Sequence, residues 1–255
     1  MTAIGIFGAN GRMGRAIAQI ADESGIAVAG GTGARAVGTI GAQEAAITDD
    51  PRALAASADV LIDFSMPHAL AANLEACIAA GKPLLIGTTG LEAEHQAAID
   101  EAAATIAVLQ TGNTSLGVNL LAALVREAAS KLGDDWDIEI VEMHHRHKVD
   151  APSGTALLLG QAAAAGRGID LASHSARGRD GITGARRAGD IGFASLRGGS
   201  VAGDHMVVLA GDSERIELGH RAESRTVFAR GAVKAAQWLV DKAPGRYTMA
   251  DVLGL

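Results

Sequence analysis

The chain has 255 residues, with 22 lysines and arginines against 29 aspartates and glutamates. That net acidity argues against a general nucleic-acid binder, which needs a positive face, and an aromatic content of 3% leaves few platforms for stacking bases. A hydrophobic fraction of 48% excludes a disordered composition, and the single cysteine, Cys77, can form neither an internal disulfide nor a cysteine metal cluster.

The chain opens "MTAIGIFGANG", entering a strand with no basic leader, and it has no apolar run long enough to span a bilayer. A cytoplasmic protein without membrane or nucleic-acid partners is expected. Strand-like and helical segments then alternate: strand 3–8, helix 11–23, strand 26–31, strand 58–65, helix 67–80, strand 83–90, helix 91–104 and strand 105–113. The strands are nearly continuous apolar runs, which implies a parallel sheet covered on both faces. After Gly112 the texture changes. A helix near 116–132 leads to a half-exposed strand at 136–143, with apolar residues at 138, 140 and 143, and then to a helix at 153–166. The Gly- and Arg-rich stretch 176–190 reads as a loop, a candidate flap over a site. Three strand-like segments (191–199, 203–211 and 214–222) and helix 226–242 close the pattern. The fold class is α/β: a Rossmann-type doubly wound parallel sheet plus a second α+β domain with a mainly antiparallel sheet.

Between the first strand and first helix, "GANGRMG" sets Gly8, Gly11 and Gly14 where bare backbone N–H groups and a helix N-terminus can meet a pyrophosphate. The spacing is GxxGxxG, a variant of the usual fingerprint, but it occupies the first strand–turn–helix, the context that supports dinucleotide binding. The alternative is a plain tight turn. No acidic residue ends the second strand to hold a ribose 2′-hydroxyl; Arg35, or Arg12, could instead face a 2′-phosphate, which tilts the reading toward NADPH. Three further loops at strand ends are placed to line the nicotinamide ribose: "DFSMP" with Phe64 and Ser65, "GTTG" with Gly87, Thr88 and Thr89, and "TGNTS" with Thr111, Gly112, Asn113 and Thr114.

The densest chemistry is "VEMHHRHKVDAPSGTA", residues 141–156, where five basic residues run from His144 to Lys148. A metal site fits poorly, because Arg146 and Lys148 would repel a cation and no cysteine or second histidine pair completes a shell. An anionic substrate fits well. Clustered cations depress one another's pKa values, moving a histidine or lysine toward acid–base range. Directly after them, Ser153, Gly154 and Thr155 offer hydroxyls and backbone N–H groups at a helix start, a clamp for a carboxylate.

With these residues in view, the sequence resembles the 4-hydroxy-tetrahydrodipicolinate (dihydrodipicolinate) reductase family over essentially its whole length. The most specific match is "EMHHRHKVDAPSGTA" (142–156); "GANGRMG" (8–14), "IDFS" (62–65), "IGTTG" (86–90), "GDIGFASLRGGSVAGDH" (189–205) and "SRTVFARGAVKAAQWL" (224–239) agree as well. The resemblance implies NADPH- or NADH-dependent reduction of a cyclic dicarboxylate to tetrahydrodipicolinate in lysine and diaminopimelate biosynthesis, with no metal. It makes His144 and Lys148 the proton-transfer residues and His145, Gly154 and Thr155 substrate contacts. Cofactor contacts fall on Gly8, Ala9, Asn10, Gly11, Arg12 and Met13, on Gly87 to Thr89 and on Thr111 to Thr114, with Arg225 and Phe228 as weaker ones. It also implies a homotetramer built through the second domain's sheet, and two domains that close over the ligands. The expected division is 1–114 with 226–255 for the dinucleotide and 115–225 for substrate and oligomerisation.

Two departures stand out. Gly33, followed by Ala34 and Arg35, occupies the place of an acidic residue in many relatives, and Thr114 the place of an aromatic, so that its contact reduces to backbone. Two rivals remain at this point: a dehydrogenase for another small dicarboxylate or for aspartate, and a nucleotide-sensing Rossmann protein without catalysis.

Overall fold

The computed structural model describes residues 2–33 and 36–255, so Arg35 lies outside the described residues. The chain divides into two compact units, Met1–Leu116 with Thr226–Leu255, and Gly117–Arg225. In chain order, β1 (Ala3–Phe7), α1 (Arg12–Glu23) and β2 (Ala27–Thr32) come first. The pair β3 (Thr39–Ile40) and β4 (Ala45–Thr48) then leads through α2 (Pro51–Ser57) to β5 (Val60–Asp63). Next are α3 (Leu70–Ala80), β6 (Leu84–Ile86), α4 (Ala93–Ala103) and β7 (Ala107–Gln110). The second unit is built from α5 (Leu116–Lys131), β8 (Asp137–His144), α6 (Gly154–Arg167), β9 (Ser175–Ala176), β10 (Ile191–Arg197), β11 (Asp204–Gly211) and β12 (Glu214–Arg221). Finally α7 (Thr226–Leu239), β13 (Gly245–Tyr247) and α8 (Met249–Leu253) belong to the first unit. No helix among the described residues is long and apolar enough to cross a membrane.

In the first unit the strand order is β13-β7-β6-β5-β1-β2-β4-β3, parallel throughout except at the β3–β4 edge. The period of two along each strand divides its apolar residues between two cores. Ile4, Ile6, Val60, Ile62, Leu85 and Leu109 meet α1 and α7 on one face. Phe7, Leu61, Leu84, Ile86 and Val108 meet α2, α3 and α4 on the other. This is the doubly wound arrangement expected from continuous apolar strands. The elements absent from the sequence reading are β3, β4, α2, β13 and α8 in this unit and β9 in the other. For α2 the signal was present: Asp50 caps it, accepting from Arg52 N at 2.9 Å and Ala53 N at 3.0 Å, and Pro51 opens its first turn.

In the second unit the order is β12-β11-β8-β10-β9. The two long ladders that β11 makes with β12 and β8 are antiparallel, as expected, whereas β8–β10 and β10–β9 are parallel. The parallel joint follows from α6, a crossover helix between β8 and β10. One face of this sheet (Ile138, Ile140, Phe193, Val207, Leu209) packs on α5 and α6.

In the first unit, α7 is seated against the turn after β7. Thr114 Oγ1 donates to Phe228 O at 2.7 Å, and a Cβ at Gly231 would overlap Thr114 O. Alanine at 231 gains up to about 1 kcal/mol of helix propensity but overpacks against a fixed carbonyl, at a cost of roughly 1–3 kcal/mol. Gly231→Ala should therefore lower the urea unfolding midpoint, and an unchanged or higher midpoint would show that the turn yields.

Candidate active site

In the first unit, β1 ends in a turn that folds back on β2: Gly8 N and Ala9 N both donate to Thr32 O, at 2.9 and 2.8 Å. Gly8 has φ +84°, and a Cβ there would lie 2.6 Å from Phe64 O; a Cβ at Gly14 would lie 2.5 Å from Gly8 O. These two glycines are thus required by the turn itself. Gly11 is the N-cap of α1, with no side-chain cap, and the first turn has no acidic residue. The helix start accordingly faces outward as a positive dipole end, suited to an anion. Nearby, Asn10 Oδ1 is buried without a hydrogen-bond partner, and any side chain at position 33 would collide with it. A side chain at 33 could be placed only if Asn10 turned away.

Asp63, fully buried at the end of β5, ties two of the neighbouring loops together. It accepts from Ser65 N at 2.7 Å, Ser65 Oγ at 2.6 Å, Thr88 Oγ1 at 3.1 Å and Asn73 Nδ2 at 2.9 Å. Several side chains expected to face a cofactor are consequently committed inward: the hydroxyls of Ser65 and Thr88 to Asp63, and that of Thr114 to Phe228 O. Thr111 Oγ1 likewise bonds Asn113 O and N. What these loops leave on the outside includes Thr89 and Gly112, with Arg12 exposed beside the glycine turn.

In the second unit, burial alternates without a break along β8, so Ile138, Ile140, Glu142 and His144 all point inward. The apolar residue at 143 lies on the opposite face, which corrects the phase expected from 138, 140 and 143. Glu142 is only 1% exposed. Its Oε2 accepts from His144 Nδ1 at 2.6 Å and Arg197 Nη1 at 2.8 Å; its Oε1 accepts from Arg197 Nη2 at 2.8 Å and Ser153 N at 3.2 Å. Burial alone would raise the Glu142 carboxyl, but the Arg197 and His144 hydrogen bonds outweigh it and hold it down at about 2. Arg197 Nη2 also donates to Asp150 O at 2.6 Å, and Asp150 in turn holds Lys148 Nζ at 2.8 and 2.9 Å.

The strand ends at His144, and residues 145–148 form a turn rather than an extended stretch. His145 is half-buried, and Arg225 Nη2 lies 2.9 Å from its Nε2. Within the second unit Arg225 is thus grouped with the histidine cluster. Partial desolvation, then the charges of Arg225, His147, His144 and Lys148, hold the His145 imidazole below its ordinary range. This is the depression that clustered cations should produce.

Ser153, only 1% exposed, also needs correction as a ligand-facing hydroxyl. Its Oγ caps α6, accepting from Ala156 N at 3.1 Å, and lies 3.1 Å from His205 Nε2. Gly154, by contrast, is exposed, and a Cβ there would meet nothing within 4 Å. The fold does not require glycine at 154; a bare approach to the helix start would. The loop 176–190 does not cover this region in the way a flap would. Arg179 and Arg186 pin it to Glu139 and Asp137, and Glu139 lies about 16 Å of strand from His144.

His205, which sequence reasoning passed over, is 5% exposed and packs edge-on against His144 at 5.1 Å. Burial, then the charge of His144, pushes its pKa down to about 4. The unfolded chain binds this proton near the usual value of 6.5 and the folded chain does not, so stability is complete above that pH and is lost as the pH falls toward 4. The effect is of the order of 3 kcal/mol. Urea unfolding at pH 7 and pH 4.5 should show this loss, and His205→Gln should reduce it; an equal loss in the variant would contradict the assignment.

Comparison with known proteins agrees with this architecture. The family model described as dihydrodipicolinate reductase, N-terminus, matches residues 2–114, and the one described as dihydrodipicolinate reductase, C-terminus, matches residues 117–253. A protein of Zymomonas mobilis named 4-hydroxy-tetrahydrodipicolinate reductase is 60% identical over 99% of this chain and 97% of its own. A Rhodopseudomonas palustris protein of the same name is 55% identical over 98% of this chain and 96% of its own. The fold is similar to that of a dipicolinate-bound dihydrodipicolinate reductase from Paenisporosarcina sp. TG-14, with a TM-score of 0.81 at 22% identity and 98% coverage of both chains. The chain belongs to the dihydrodipicolinate reductase family and is an oxidoreductase.

Proposed function

We propose that the protein reduces 4-hydroxy-tetrahydrodipicolinate (the dihydrodipicolinate of the family's older name) to tetrahydrodipicolinate, using NADPH or NADH, in cytoplasmic lysine and diaminopimelate biosynthesis. The observation that carries this reading is the joining of a buried histidine and an anion-binding helix start through one carboxylate: Glu142 bonds both His144 Nδ1 and Ser153 N. Relatives that are 55% and 60% identical carry the reductase name, and the neighbour with the same fold was solved with a dicarboxylate, dipicolinate.

The first unit is the nucleotide-binding one. Its fit is seen in the Gly8–Gly14 turn and in the uncapped start of α1, where Gly11, Arg12 and Met13 would hold the pyrophosphate. Bound there, a reduced nicotinamide supplies a hydride. With no carboxylate at position 33 to select a ribose 2′-hydroxyl, NADPH is accepted at least as well as NADH.

The second unit binds substrate. The backbone at Gly154 and Thr155, with His145 and Arg225, holds the substrate carboxylates. The 4-hydroxyl leaves as water, hydride addition to the unsaturated ring then builds negative charge on it, and His144 quenches that charge with a proton. Lys148, paired with both oxygens of Asp150, serves as fixed positive charge beside that transfer. The sheet face away from α5 and α6 carries an apolar patch of Val141, Met143, Ala194, Leu196 and Met206 among charged residues such as Asp137 and Glu139, and Leu196 is 47% exposed. Such a face suits assembly into the homotetramer that the resemblance implies.

Removal of a general acid costs roughly 10²–10⁴ in rate. His144→Ala should lose turnover in that range while its affinity for NADPH stays unchanged, and near-normal turnover would remove His144 from the chemistry. Gly154→Ala should fold normally and raise the KM for the dicarboxylate more than it lowers kcat, as expected when ground-state binding is lost.

A further inference from the structure

Glu142 and Arg197 have no role in the chemistry described so far, yet between them they bond His144, Ser153 N and Asp150 O. We propose that Glu142, held by Arg197, is the positioning residue of the active site: it fixes His144 with Nδ1–H inward and Nε2 outward, and it sets the start of α6 and the Lys148 turn in register with that ring. The proposal rests on the reading of His144 as the proton donor and extends it to the residue that aims the donor.

The argument begins with hydrogen-bond bookkeeping at one carboxylate. Each Glu142 oxygen receives at least two donors, Oε2 from Arg197 Nη1 and His144 and Oε1 from Arg197 Nη2 and Ser153 N, and the Ser195 side chain donates to the same carboxylate. With its acidity strengthened well below the ordinary carboxylate range, Glu142 is an acceptor only at neutral pH. The proton in the 2.6 Å contact therefore sits on His144 Nδ1. The ring's other nitrogen, Nε2, is then the atom that gives and regains the transferred proton. Gly203 lies against this atom, and a Cβ there would come within 3.0 Å of it.

Reach comes from the partners. Through Ser153 N, the same carboxylate anchors the residue that caps α6, just ahead of Gly154 and Thr155. Through Arg197 Nη2 and Asp150 O, the clamp fixes the turn that carries Lys148. Charged and titratable groups around His144 include Glu142 on its own strand, the adjacent His145, His205 on β11, and the ladder partner of His144 on β10, Arg197, which holds the same carboxylate. Of these, only Glu142 contacts the ring through a hydrogen bond that fixes the tautomer. A glutamine at 142 cannot replace it. Its amide nitrogen, in either position, would face two donors, and facing His144 it would force the opposite tautomer.

The test has two independent parts. In the wild-type enzyme labelled with ¹⁵N-histidine, the ring nitrogens of His144, assigned by their loss in His144→Gln, should show Nδ1 protonated and bonded and Nε2 exposed to solvent. In Glu142→Gln, kcat should fall by roughly 10- to 10⁴-fold, the span found for residues that orient a functional histidine, with a much smaller rise in KM and unchanged NADPH binding. A bare Nδ1 in the wild-type spectrum, or a Glu142→Gln kcat within about twofold of wild type, overturns the proposal. If Glu142→Gln does not fold, the wild-type spectrum decides alone. Should His144→Ala stay active while the spectrum shows Nδ1–H, the proton-donor reading fails and the positioning of the ring stands.

Discussion

A carboxylate buried to 1% exposure is costly unless it is paired and fully hydrogen-bonded, and in this protein the arrangement that satisfies Glu142 is also the arrangement of the site. Arg197 neutralises it in a fork, His144, Ser153 and Ser195 add further hydrogen bonds to it, and the carbonyls of Asp150 and Leu196 accept from Arg197. The folding constraint and the functional one thereby coincide. A chain that misplaced any of these groups would leave a buried charge unpaired, typically at a cost of about 3–5 kcal/mol. Preorganisation of the cluster therefore follows from the stability of the second unit.

The first unit meets a different constraint, the tight turn from β1 into α1. Its glycines serve two ends. Gly8 and Gly14 are demanded by the turn, whose own carbonyls fill the space a side chain would need. Gly11 stands at an exposed, uncapped helix start. In the second unit Gly154 resembles Gly11: nothing in the fold excludes a side chain there, so its bareness points outward. Beneath the cofactor loops, Asp63 gathers hydroxyls much as Glu142 gathers cations and N–H groups, but with neutral donors only.

Much of this was legible in the sequence because the strands of a sheet covered on both faces are apolar throughout, and the basic cluster is contiguous. Short elements escaped. β3 and β4 are two and four residues long, and their pairing is not a local property. Residue type gave the candidates of the site but not their direction: the hydroxyls of Ser65, Thr88, Thr114 and Ser153 suit a ligand equally well, and the structure spends each on the protein itself. Glu142 was within reach, since strict alternation from Ile138 places 142 and 144 on the buried face. Its partner Arg197, 55 residues away, was not, because only the parallel pairing of β8 with β10 brings the two together.

The most direct test of the account is the initial rate of NADPH and NADH oxidation, with the cyclic substrate generated in situ from pyruvate and aspartate semialdehyde. The account predicts rapid oxidation that depends on that substrate, with NADPH used at least as fast as NADH. Binding of both cofactors without substrate-dependent oxidation would contradict it and favour a nucleotide-sensing role or another substrate.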